Sequence, residues 1–404
     1  MNCLKLNQWS LISRSNILST LSRCSIGAIL LVGLAPLAAL AKPFQGNIAK
    51  DYSSINIFGD SLVDGGNFFN LSRELTGTGL PPKPYAQQFS NGKVWSEQLA
   101  QALDLTPAQS TAVIPGILNG TTPIPSEGIN FALGGSLSDD TGTQPGLPGL
   151  RSQITAFSTL STIAPPTPNT LNVLLAGGND YNQAVLRGTS SPTELAALPE
   201  KVTDNLVDAI AGLINAGAAD ILVANLPTLG NQPLAKSLDN INPQTSAGLS
   251  ALSTQHNFLL ANKLNTLKAN SDANIIPLDI GGLIDDAVDS PKSFGFANVT
   301  ESCLSDFVSI LDFGTPCENP DEFLFWDDVH PTAQAHSLVA QFAFDTLADS
   351  KPGNPPKDPQ SVPEPASAVA LIFIGSALLL QRKRDRRAQR LNSSHPSRSR
   401  MPSS

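Results

Sequence analysis

The stretch SINIFGDSLVDGGN, from Ser54 to Asn67, joins a short apolar run to a group of glycines and polar residues. The run Ser54–Phe58 is rich in isoleucine and ends in an aromatic residue, which predicts a buried β-strand. Gly59 follows directly, and glycine lets the backbone turn sharply at such a position. A strand that ends in this way is typical of a parallel sheet, where functional groups gather at the carboxyl ends of the strands.

The same pattern of apolar runs followed by helical spacing recurs along the chain. Further strands are predicted at Gly128–Ala132, Leu171–Ala176, Asp220–Asn225 and Asn274–Asp279, and helices at Val94–Leu103, Leu195–Ala216, Ser246–Leu267 and Pro331–Leu347. Because apolar strands that alternate with helices indicate a parallel sheet covered on both faces, the predicted class is α/β. Pro107–Ser126 lacks this pattern and is expected to be an irregular inserted loop.

Composition limits the classes of function. The chain has 404 residues, of which 41% are hydrophobic, so it is long enough to bury a sizeable core. Residues 42–361 carry 14 Lys and Arg against 32 Asp and Glu. This strongly acidic part of the chain repels the phosphate backbone of a nucleic acid, and nucleic acid is therefore excluded as a partner. Residues 42–350 contain neither a linker nor a repeat and are predicted to form one domain.

Residues 1–41 have the pattern of a secretory signal peptide. Lys5, Arg14 and Arg23 precede the apolar run Ile26–Leu40, and small residues lead to Ala41. The run has about fifteen residues, fewer than the roughly twenty that span a bilayer, so cleavage near Ala41 is favoured over a permanent anchor. The protein is therefore expected to be exported.

The C-terminal part reads as a second targeting segment. A polar linker at 351–361 is followed by a Pro-Glu-Pro motif, an apolar stretch and a basic cluster within 362–387, and then by a polar tail at 388–404. Residues 362–387 resemble the PEP-CTERM sorting signal of Gram-negative bacteria. The resemblance implies transient anchoring in the inner membrane, with the basic cluster in the cytoplasm, until an exosortase-like sorting enzyme cleaves the chain. The cell envelope or the extracellular space is then the destination, and a plain tail anchor is the alternative.

Two cysteines remain after removal of the signal peptide, Cys303 and Cys317. In an oxidising compartment we expect them to form a disulfide, and two reduced thiols are the alternative. Neither a CxxC motif nor a histidine-rich run suggests a metal site.

Polar, glycine-flanked groups follow three of the predicted strands: Gly59-Asp60-Ser61, Gly134-Gly135 and Gly177-Gly178-Asn179-Asp180. Carboxyl ends of parallel strands meet at one edge of the sheet, so these groups are expected to lie together. We expect Ser61 to begin a helix, where N–H groups and the helix dipole favour negative charge. Ser61 is therefore a candidate nucleophile whose carbonyl target becomes an oxyanion.

A nucleophilic serine needs a base, and histidine is suited to that role near neutral pH. The predicted domain contains His256, His330 and His336, of which the first and last fall within helical patterns and are expected to be structural. His330 is preceded by Asp327, close enough to fix the imidazole tautomer. Asp328 competes for this role, but adjacent side chains generally point apart, which favours Asp327.

These segments around Ser61, Gly135, Asn179 and His330, in their order along the chain, resemble the GDSL or SGNH family of serine esterases and lipases. The similarity runs from Ile57–Asn67 through Asn130–Ser136 and Gly177–Asp180 to Asp327–Thr332. The segments Asn225–Gly230, Cys317–Pro320 and Phe325–Asp327 look like the longer branch of the family, which includes plant GDSL lipases and bacterial phospholipase or haemolysin-like proteins. The resemblance implies a three-layer α/β/α sandwich with a flavodoxin-like parallel sheet, and acyl transfer that needs no cofactor.

The resemblance also assigns roles to individual residues. It makes Ser61 the nucleophile, His330 the base and Asp327 its orienting carboxylate. The oxyanion hole is assigned to the backbone N–H groups of Ser61 and Gly135 and the side-chain amide of Asn179. Gly134 is the alternative to Gly135 if the register differs by one residue.

The sequence thus predicts an exported serine hydrolase that cleaves carboxylic esters of lipids, phospholipids or acylated polysaccharides. Two other functions are alternatives. A metallophosphoesterase needs several histidines and carboxylates around two metals, and Asp60, Asn179 and His330 are too few. A non-catalytic polysaccharide-binding surface protein on the same fold is the stronger alternative, although the full set of catalytic residues argues against it.

Overall fold

Six strands form one sheet in which every hydrogen-bonded pair is parallel. They are β1 (Ser54–Gly59), β2 (Ala108–Gln109), β3 (Ile129–Asn130), β4 (Thr170–Leu175), β5 (Asp220–Ala224) and β6 (Asn274–Leu278), in the order β2-β3-β1-β4-β5-β6. Without the two-residue edge strand β2, this is the 2-1-3-4-5 order of flavodoxin-like sheets. The order reverses beside β1, so a ligand crevice is expected at the carboxyl end of that strand.

These strands belong to a computed structural model of the chain, which describes Phe44, Ile48 and residues 51–187, 191–305 and 314–350. The predicted linker, sorting segment and polar tail lie outside the described residues, and so does the predicted signal peptide. The targeting predictions for both ends therefore stay predictions. Across the described ranges, none of the helices combines the length and the apolar character needed to span a bilayer.

Apolar side chains on both faces of the strands build two separate cores. In β1, Ile55 and Ile57 point into one core, and Phe58 points into the other. Because both faces are apolar, the sheet needs helices on each side to bury them. The residues of the strands alone therefore indicate a fold with a layer of helices on each face of the sheet.

The helices complete these two layers. They are α1 (Asn67–Thr76), α2 (Trp95–Ala102), α3 (Ser110–Leu118), α4 (Leu150–Ile163), α5 (Gly178–Arg187), α6 (Pro192–Asn215), α7 (Pro233–Leu238), α8 (Thr245–Ala269), α9 (Ile280–Asp289) and α10 (Ala333–Asp349). Helices α2, α9 and α10 cover one face of the sheet, and α4, α6 and α8 cover the other. The predicted three-layer α/β/α sandwich with a flavodoxin-like sheet is confirmed.

Two local predictions were wrong. Pro107–Ser126 is not a wholly irregular loop, because it contains β2 and α3. The pattern was hidden by Pro115 and Gly116 in the helix, although Ile117 is buried in the core. Ser61 does not begin a helix but lies in a turn closed by a 3.1 Å hydrogen bond from the N–H of Val63 to the carbonyl of Asp60.

Helix α1 begins at Asn67 rather than at Ser61, and the carboxylate of Asp64 explains this position. It accepts the N–H groups of Gly66, Asn67 and Phe68 at 2.6–3.0 Å, which are otherwise unpaired at the start of a helix. The turn that carries Ser61 is therefore kept separate from the helix that follows.

A disulfide joins Cys303 and Cys317, which are fourteen residues apart. It lies beside two small ladders formed by β7 (Asn298–Ser302), β8 (Leu304–Ser305), β9 (Thr315–Pro316) and β10 (Phe323–Phe325). Cys303 donates its N–H to the carbonyl of Phe325, two residues before Asp327. The bond therefore closes a loop close to one of the candidate site residues.

Replacing both cysteines by alanine is expected to lower the free energy of unfolding by about 3 kcal/mol, since closing a loop of this length removes conformational entropy from the unfolded chain. Denaturant unfolding followed by fluorescence measures the change. Reductant should lower the midpoint of the native protein and leave that of the double variant unchanged. An equal response of the two proteins to reductant would contradict the prediction.

Candidate active site

Ser61 and His330 meet at the carboxyl end of β1, although 269 residues separate them. The Oγ atom of Ser61 lies 2.8 Å from Nε2 of His330. Ser61 is buried, and 15% of the His330 side chain is exposed, so the pair lies near the surface but is shielded from bulk water. The distance suits direct transfer of the serine proton to the imidazole.

Asp327 holds the other ring nitrogen of His330. Its Oδ2 lies 2.8 Å from Nδ1, and its Oδ1 also accepts the backbone N–H groups of Val329 and His330 at 2.8 and 2.7 Å. A carboxylate at Nδ1 places the ring proton there and leaves Nε2 free to accept the proton of Ser61.

Asp328 points away from the site. Its side chain is exposed, and its Oδ1 accepts the hydroxyl proton of Ser302 at 2.7 Å. The structure therefore brings Asp327 to His330 and does not bring Asp328, in line with the predicted register.

Burial and charge act in opposite directions on His330. Burial favours the neutral ring, but the negative charge of Asp327 and the hydrogen bond to it outweigh burial and raise the pKa of His330 above its ordinary value of 6.5. For Asp327, burial is likewise outweighed by the charge and hydrogen bonds of His330, and the pKa of its carboxyl is lowered. The pair is thus arranged to stabilise the imidazolium that forms when Ser61 loses its proton.

Asp60, next to the nucleophile, is a second buried carboxyl that acts on His330. Burial raises the pKa of Asp60 to about 7, although the N–H of Leu62 and the positive charge of protonated His330 oppose the shift. Its negative charge in turn raises the pKa of His330. The charges of Asp60 and His330 are therefore coupled, because each affects the pKa of the other group.

Two backbone N–H groups beyond the carboxyl ends of β1 and β3, those of Ser61 and Gly135, have no hydrogen-bond acceptor in the part of the chain that the structure describes. The N–H of Gly134 is already donated to Oδ2 of Asp64 at 2.7 Å. This favours Gly135 over Gly134 as the second oxyanion donor. Gly135 has a φ of +82°, and a Cβ there would lie 2.7 Å from Oγ1 of Thr143, so glycine is required.

Asn179 supplies the third candidate donor from the first turn of α5. Its Nδ2 donates one hydrogen to the carbonyl of Ser136 at 3.0 Å. An amide carries two hydrogens, so this bond fixes the side chain and leaves the second hydrogen for a ligand. This bond places Asn179 beside the loop of Gly135, and Ser61, Gly135 and Asn179 follow the neighbouring strands β1, β3 and β4.

Replacing Asn179 by alanine is expected to lower kcat by about 10²–10³-fold, the usual loss for one oxyanion donor. KM should change little, because the bond strengthens only as the carbonyl oxygen gains charge. Steady-state kinetics on a chromogenic ester measures both. Asn179→Asp, which keeps the shape but removes the donor, should be at least as impaired, and an unchanged kcat in either variant would remove Asn179 from the oxyanion hole.

The segment between α1 and α2 holds Asp327 and His330 in place, although no sequence pattern indicated this role. The hydroxyl of Tyr85 donates to Oδ2 of Asp327 at 2.8 Å, and the ring of Phe89 packs against His330 with centroids 5.0 Å apart. Tyr85 is itself buried and lies edge-on to Trp326. Tyr85 is therefore a positioning residue that acts on the reaction through Asp327.

Tyr85→Phe is expected to lower kcat/KM by about three- to tenfold, the loss that corresponds to one hydrogen bond. The carboxylate of Asp327 then interacts more strongly with the imidazolium, so the pKa of His330 rises and the acid limb of the pH profile moves to higher pH. Tyr52→Phe is the matched control, because Tyr52 is buried just before β1 at the opposite end of the sheet. A fall in rate without a shift of the acid limb would reduce Tyr85 to a purely structural role.

The two remaining histidines of the described chain are buried, and each bonds to a residue outside the series Ser61, His330 and Asp327. His256 is buried and its Nδ1 lies 2.8 Å from the hydroxyl of Tyr181. His336 is buried in α10 and its Nδ1 accepts the N–H of Trp95 at 3.2 Å. Among the described residues, no group of three or more His, Cys, Asp or Glu side chains is placed to hold a metal ion.

Comparison with known proteins agrees with this arrangement. A family model described as GDSL-like Lipase/Acylhydrolase matches residues 55–343, the range that contains every candidate site residue. The chain is 28% identical to a GDSL esterase/lipase of Arabidopsis thaliana over 320 residues, which cover 71% of this chain and 80% of that protein.

Two further proteins are more distant. Similarity to a thermolabile hemolysin of Vibrio parahaemolyticus is 26% identity, over 70% of this chain and 61% of that protein. Among solved structures, a member of the lipolytic G-D-S-L family from Veillonella parvula matches with 14% identity and a TM-score of 0.35, over 72% of this chain and 96% of that chain.

Proposed function

The chain belongs to the GDSL-like lipase and acylhydrolase family and is a serine ester hydrolase, and from this premise we propose that it cleaves carboxylic esters through an acyl intermediate on Ser61. The observation that carries the proposal is the continuous series of hydrogen bonds from Ser61 through His330 to Asp327. We assign the oxyanion to the N–H groups of Ser61 and Gly135, and the assignment is supported by their lack of an acceptor among the described residues.

The proposed reaction has two halves. Nε2 of His330 takes the proton of Ser61 as Oγ attacks the ester carbonyl carbon, and the carbonyl oxygen becomes an oxyanion held by Ser61, Gly135 and Asn179. The tetrahedral intermediate then collapses, and His330 gives its proton to the departing alcohol. In the second half His330 takes a proton from a water molecule as the water oxygen attacks the acyl carbonyl carbon. The second tetrahedral intermediate then collapses, the bond from the acyl carbon to Oγ breaks, and His330 returns the proton to Oγ as the acid is released.

As substrates we propose acyl esters of lipids or phospholipids, or O-acyl groups of polysaccharides. The lipid alternative is supported by the similarity to proteins described as esterase/lipase and hemolysin. The polysaccharide alternative is supported by residues 362–387, which resemble a sorting signal of bacteria that make extracellular polysaccharide.

The purified protein tests these proposals on chromogenic esters of increasing chain length and on an acetylated polysaccharide. Hydrolysis that falls steeply beyond short chains, with release of acetate from the polysaccharide, supports the second class. Hydrolysis that persists with long acyl chains and phospholipids supports the first. No turnover of any ester would favour the non-catalytic polysaccharide-binding protein instead.

We further propose that the protein is exported and is held transiently in the inner membrane by residues 362–387 before cleavage by an exosortase-like enzyme. The support is the sequence pattern of both ends. Intact mass of the protein recovered from its host measures the outcome. A chain that lacks residues 1–41 and ends near the Pro-Glu-Pro motif agrees with the proposal, whereas a membrane-bound chain that still ends at Ser404 contradicts the processing step.

A further inference from the structure

A buried amide connects two of the loops that carry candidate site residues. It belongs to Gln153 in α4, whose side chain is 5% exposed. The other buried residues on this face of the helix are apolar and pack into the core, among them Leu150, Ile154 and Phe157. An amide in such a place costs free energy unless its hydrogen bonds are made, so its partners indicate its role.

The oxygen and one hydrogen of this amide bond to the same residue, Gly59. Oε1 of Gln153 accepts the N–H of Gly59 at 2.8 Å, and Nε2 donates to the carbonyl of Gly59 at 2.8 Å. Strand β3 ends at Asn130, opposite Ile57, so Gly59 lies beyond that pairing. The amide therefore acts as a strand partner for Gly59 and fixes the end of β1, two residues before Ser61.

The second hydrogen of the amide is directed to the loop of Gly135. Nε2 donates it to Oγ of Ser136 at 3.0 Å. Ser136 directly follows Gly135, and its carbonyl accepts Nδ2 of Asn179 at 3.0 Å. The amide thus reaches Ser61 through Gly59, and it reaches the other two candidate oxyanion donors through Ser136.

Hydrogen-bond donors stabilise an oxyanion only if they are already directed at the place where its charge develops. A misplacement of about 1 Å can lower the rate by about 10²-fold. The three candidate donors come from separate loops, so a group that bonds these loops to one another controls the geometry. Among the described residues, Gln153 bonds to neither Ser61 nor His330, so it takes no part in proton transfer.

We propose that Gln153 is a positioning residue that keeps the three oxyanion donors in register by bonding the end of β1 to the loop of Gly135. This rests on the proposed function, since the donors are needed only if Ser61 attacks an ester. The bonds of the amide are made before the ester binds and stay the same during the reaction. Loss of the amide therefore affects the transition state, where the carbonyl oxygen carries charge, more than it affects the bound ester.

Gln153→Met removes all three hydrogen bonds at similar volume. In the purified full-length chain, kcat on a chromogenic ester is expected to fall by about 10–10²-fold because the donors are misplaced. KM should change by less than about threefold, since the neutral ester gains little from these donors. The acid limb of the kcat/KM profile should keep its midpoint, because the bonds of His330 to Ser61 and Asp327 are untouched.

A double-variant cycle with Asn179→Ala tests whether Gln153 acts through the oxyanion donors. Part of the loss is then shared, because a donor that has been removed cannot also be misplaced. The kcat of Gln153→Met/Asn179→Ala is expected to be at least about threefold higher than the value obtained by multiplying the two separate losses. A residue that only supports the fold would give losses that multiply.

Ser136→Ala provides a second, milder variant, which keeps the test decisive if Gln153→Met does not fold. It removes only the hydroxyl that accepts Nε2 of Gln153 and leaves the carbonyl that holds Asn179. The expected loss in kcat is about three- to tenfold, as for one hydrogen bond. This loss should also be partly shared with that of Asn179→Ala.

Asn172→Leu is the matched control, because it removes a buried amide elsewhere in the same sheet. Oδ1 of Asn172 accepts Nδ2 of Asn56 at 3.2 Å, and its Nδ2 donates to the carbonyl of Asp220 at 3.1 Å. These bonds join β4 to β1 and β5 and involve none of the loops of the candidate site. Asn172→Leu should lower the free energy of unfolding but leave the kcat of the folded protein unchanged, alone and in combination with Asn179→Ala.

Native kcat in both Gln153→Met and Ser136→Ala would overturn the role of Gln153 while leaving ester hydrolysis intact. Losses that multiply fully with that of Asn179→Ala would overturn it as well, since Gln153 would then act on stability and not on the donors. Absence of turnover by the native protein would overturn the proposed function itself, and the role of Gln153 with it.

Discussion

Ser61→Ala is expected to abolish ester hydrolysis, with kcat reduced by about 10⁶-fold, as found when the nucleophile of a serine hydrolase is removed. The expected loss is this large because no other oxygen takes the place of Oγ, which lies 2.8 Å from Nε2 of His330. With Ser61 absent, the oxyanion donors and the base remain but have no attacking atom to assist. Only the weak catalysis that comes from binding and polarising the ester is left.

A serine-directed fluorophosphonate probe separates loss of the nucleophile from loss of the fold. It should label the native protein once, with intact mass and peptide mapping placing the label on Ser61, and should not label Ser61→Ala. The variant should melt close to the native protein, because only one hydroxyl and its hydrogen bond to His330 are removed. Ser158→Ala, in the helix layer away from the site, is the matched control and should be labelled and active. Persistent labelling of Ser61→Ala at another residue would refute the assignment.

Much of the site was predictable because its residues stand at the ends of strands. Gly59, Gly135 and Gly177 follow apolar runs that become β1, β3 and β4, and strand order then brings the residues beside them to one edge. The Asp-x-x-His spacing was equally informative, since a short loop of this length lets one carboxylate reach Nδ1 of His330. The local sequence pattern and the parallel topology were therefore enough to predict the residues that are assigned to the reaction.

The supporting contacts were not predictable, because they join parts of the chain that no short pattern connects. Tyr85 bonds to Asp327 across 242 residues, and Asp64 bonds to Gly134 across 70. The start of α1 at Asn67 depends instead on local bonds, because Asp64 accepts three backbone N–H groups that follow it in the chain. Through its bond to Gly134, Asp64 links the turn of Ser61 to the loop of the candidate oxyanion donor Gly135.

Some helices escaped prediction for a different physical reason. Helix α9 begins with Ile280-Gly281-Gly282, residues that weaken a helix in isolation. In the folded chain Asp279 caps it by accepting the N–H of Gly282 at 2.9 Å, and Ile280 and Ile284 pack into the core. Tertiary packing thus outweighs the low intrinsic propensity of the segment.

Asp327→Asn is expected to lower kcat by about 10⁴-fold while leaving the fold intact. The reason lies in the bonds around the side chain. Oδ1 accepts two backbone N–H groups, from Val329 and His330, so the carbonyl oxygen of asparagine will occupy that position. Its NH₂ group then replaces Oδ2 and faces Nδ1 of His330. A donor at Nδ1 drives the ring proton to Nε2, where it prevents acceptance of the proton of Ser61.

Asp328→Asn is the matched control, with the same change of charge one residue away. Its carboxylate bonds to Ser302 and not to His330, so kcat should remain within a few-fold of the native value. If Asp328→Asn proved the more damaging substitution, the orienting role would belong to Asp328 and the register of the loop in solution would differ from the one described.

The pH profile gives Asp327→Asn a second signature. The base must be neutral to act, so kcat/KM falls as pH drops through the pKa of His330 in the free enzyme. In the native protein Asp327 raises that pKa, and the midpoint of the acid limb should lie above 6.5. Without the carboxylate, burial of the ring is no longer outweighed, so the residual activity of Asp327→Asn should have its midpoint at lower pH.

Tyr85→Phe shifts the midpoint in the opposite direction, which distinguishes loss of the carboxylate from loss of a donor to it. A midpoint that stays unchanged in Asp327→Asn would mean that the acid limb reports a group other than His330, with Asp60 the nearest candidate, since burial brings its pKa to about 7.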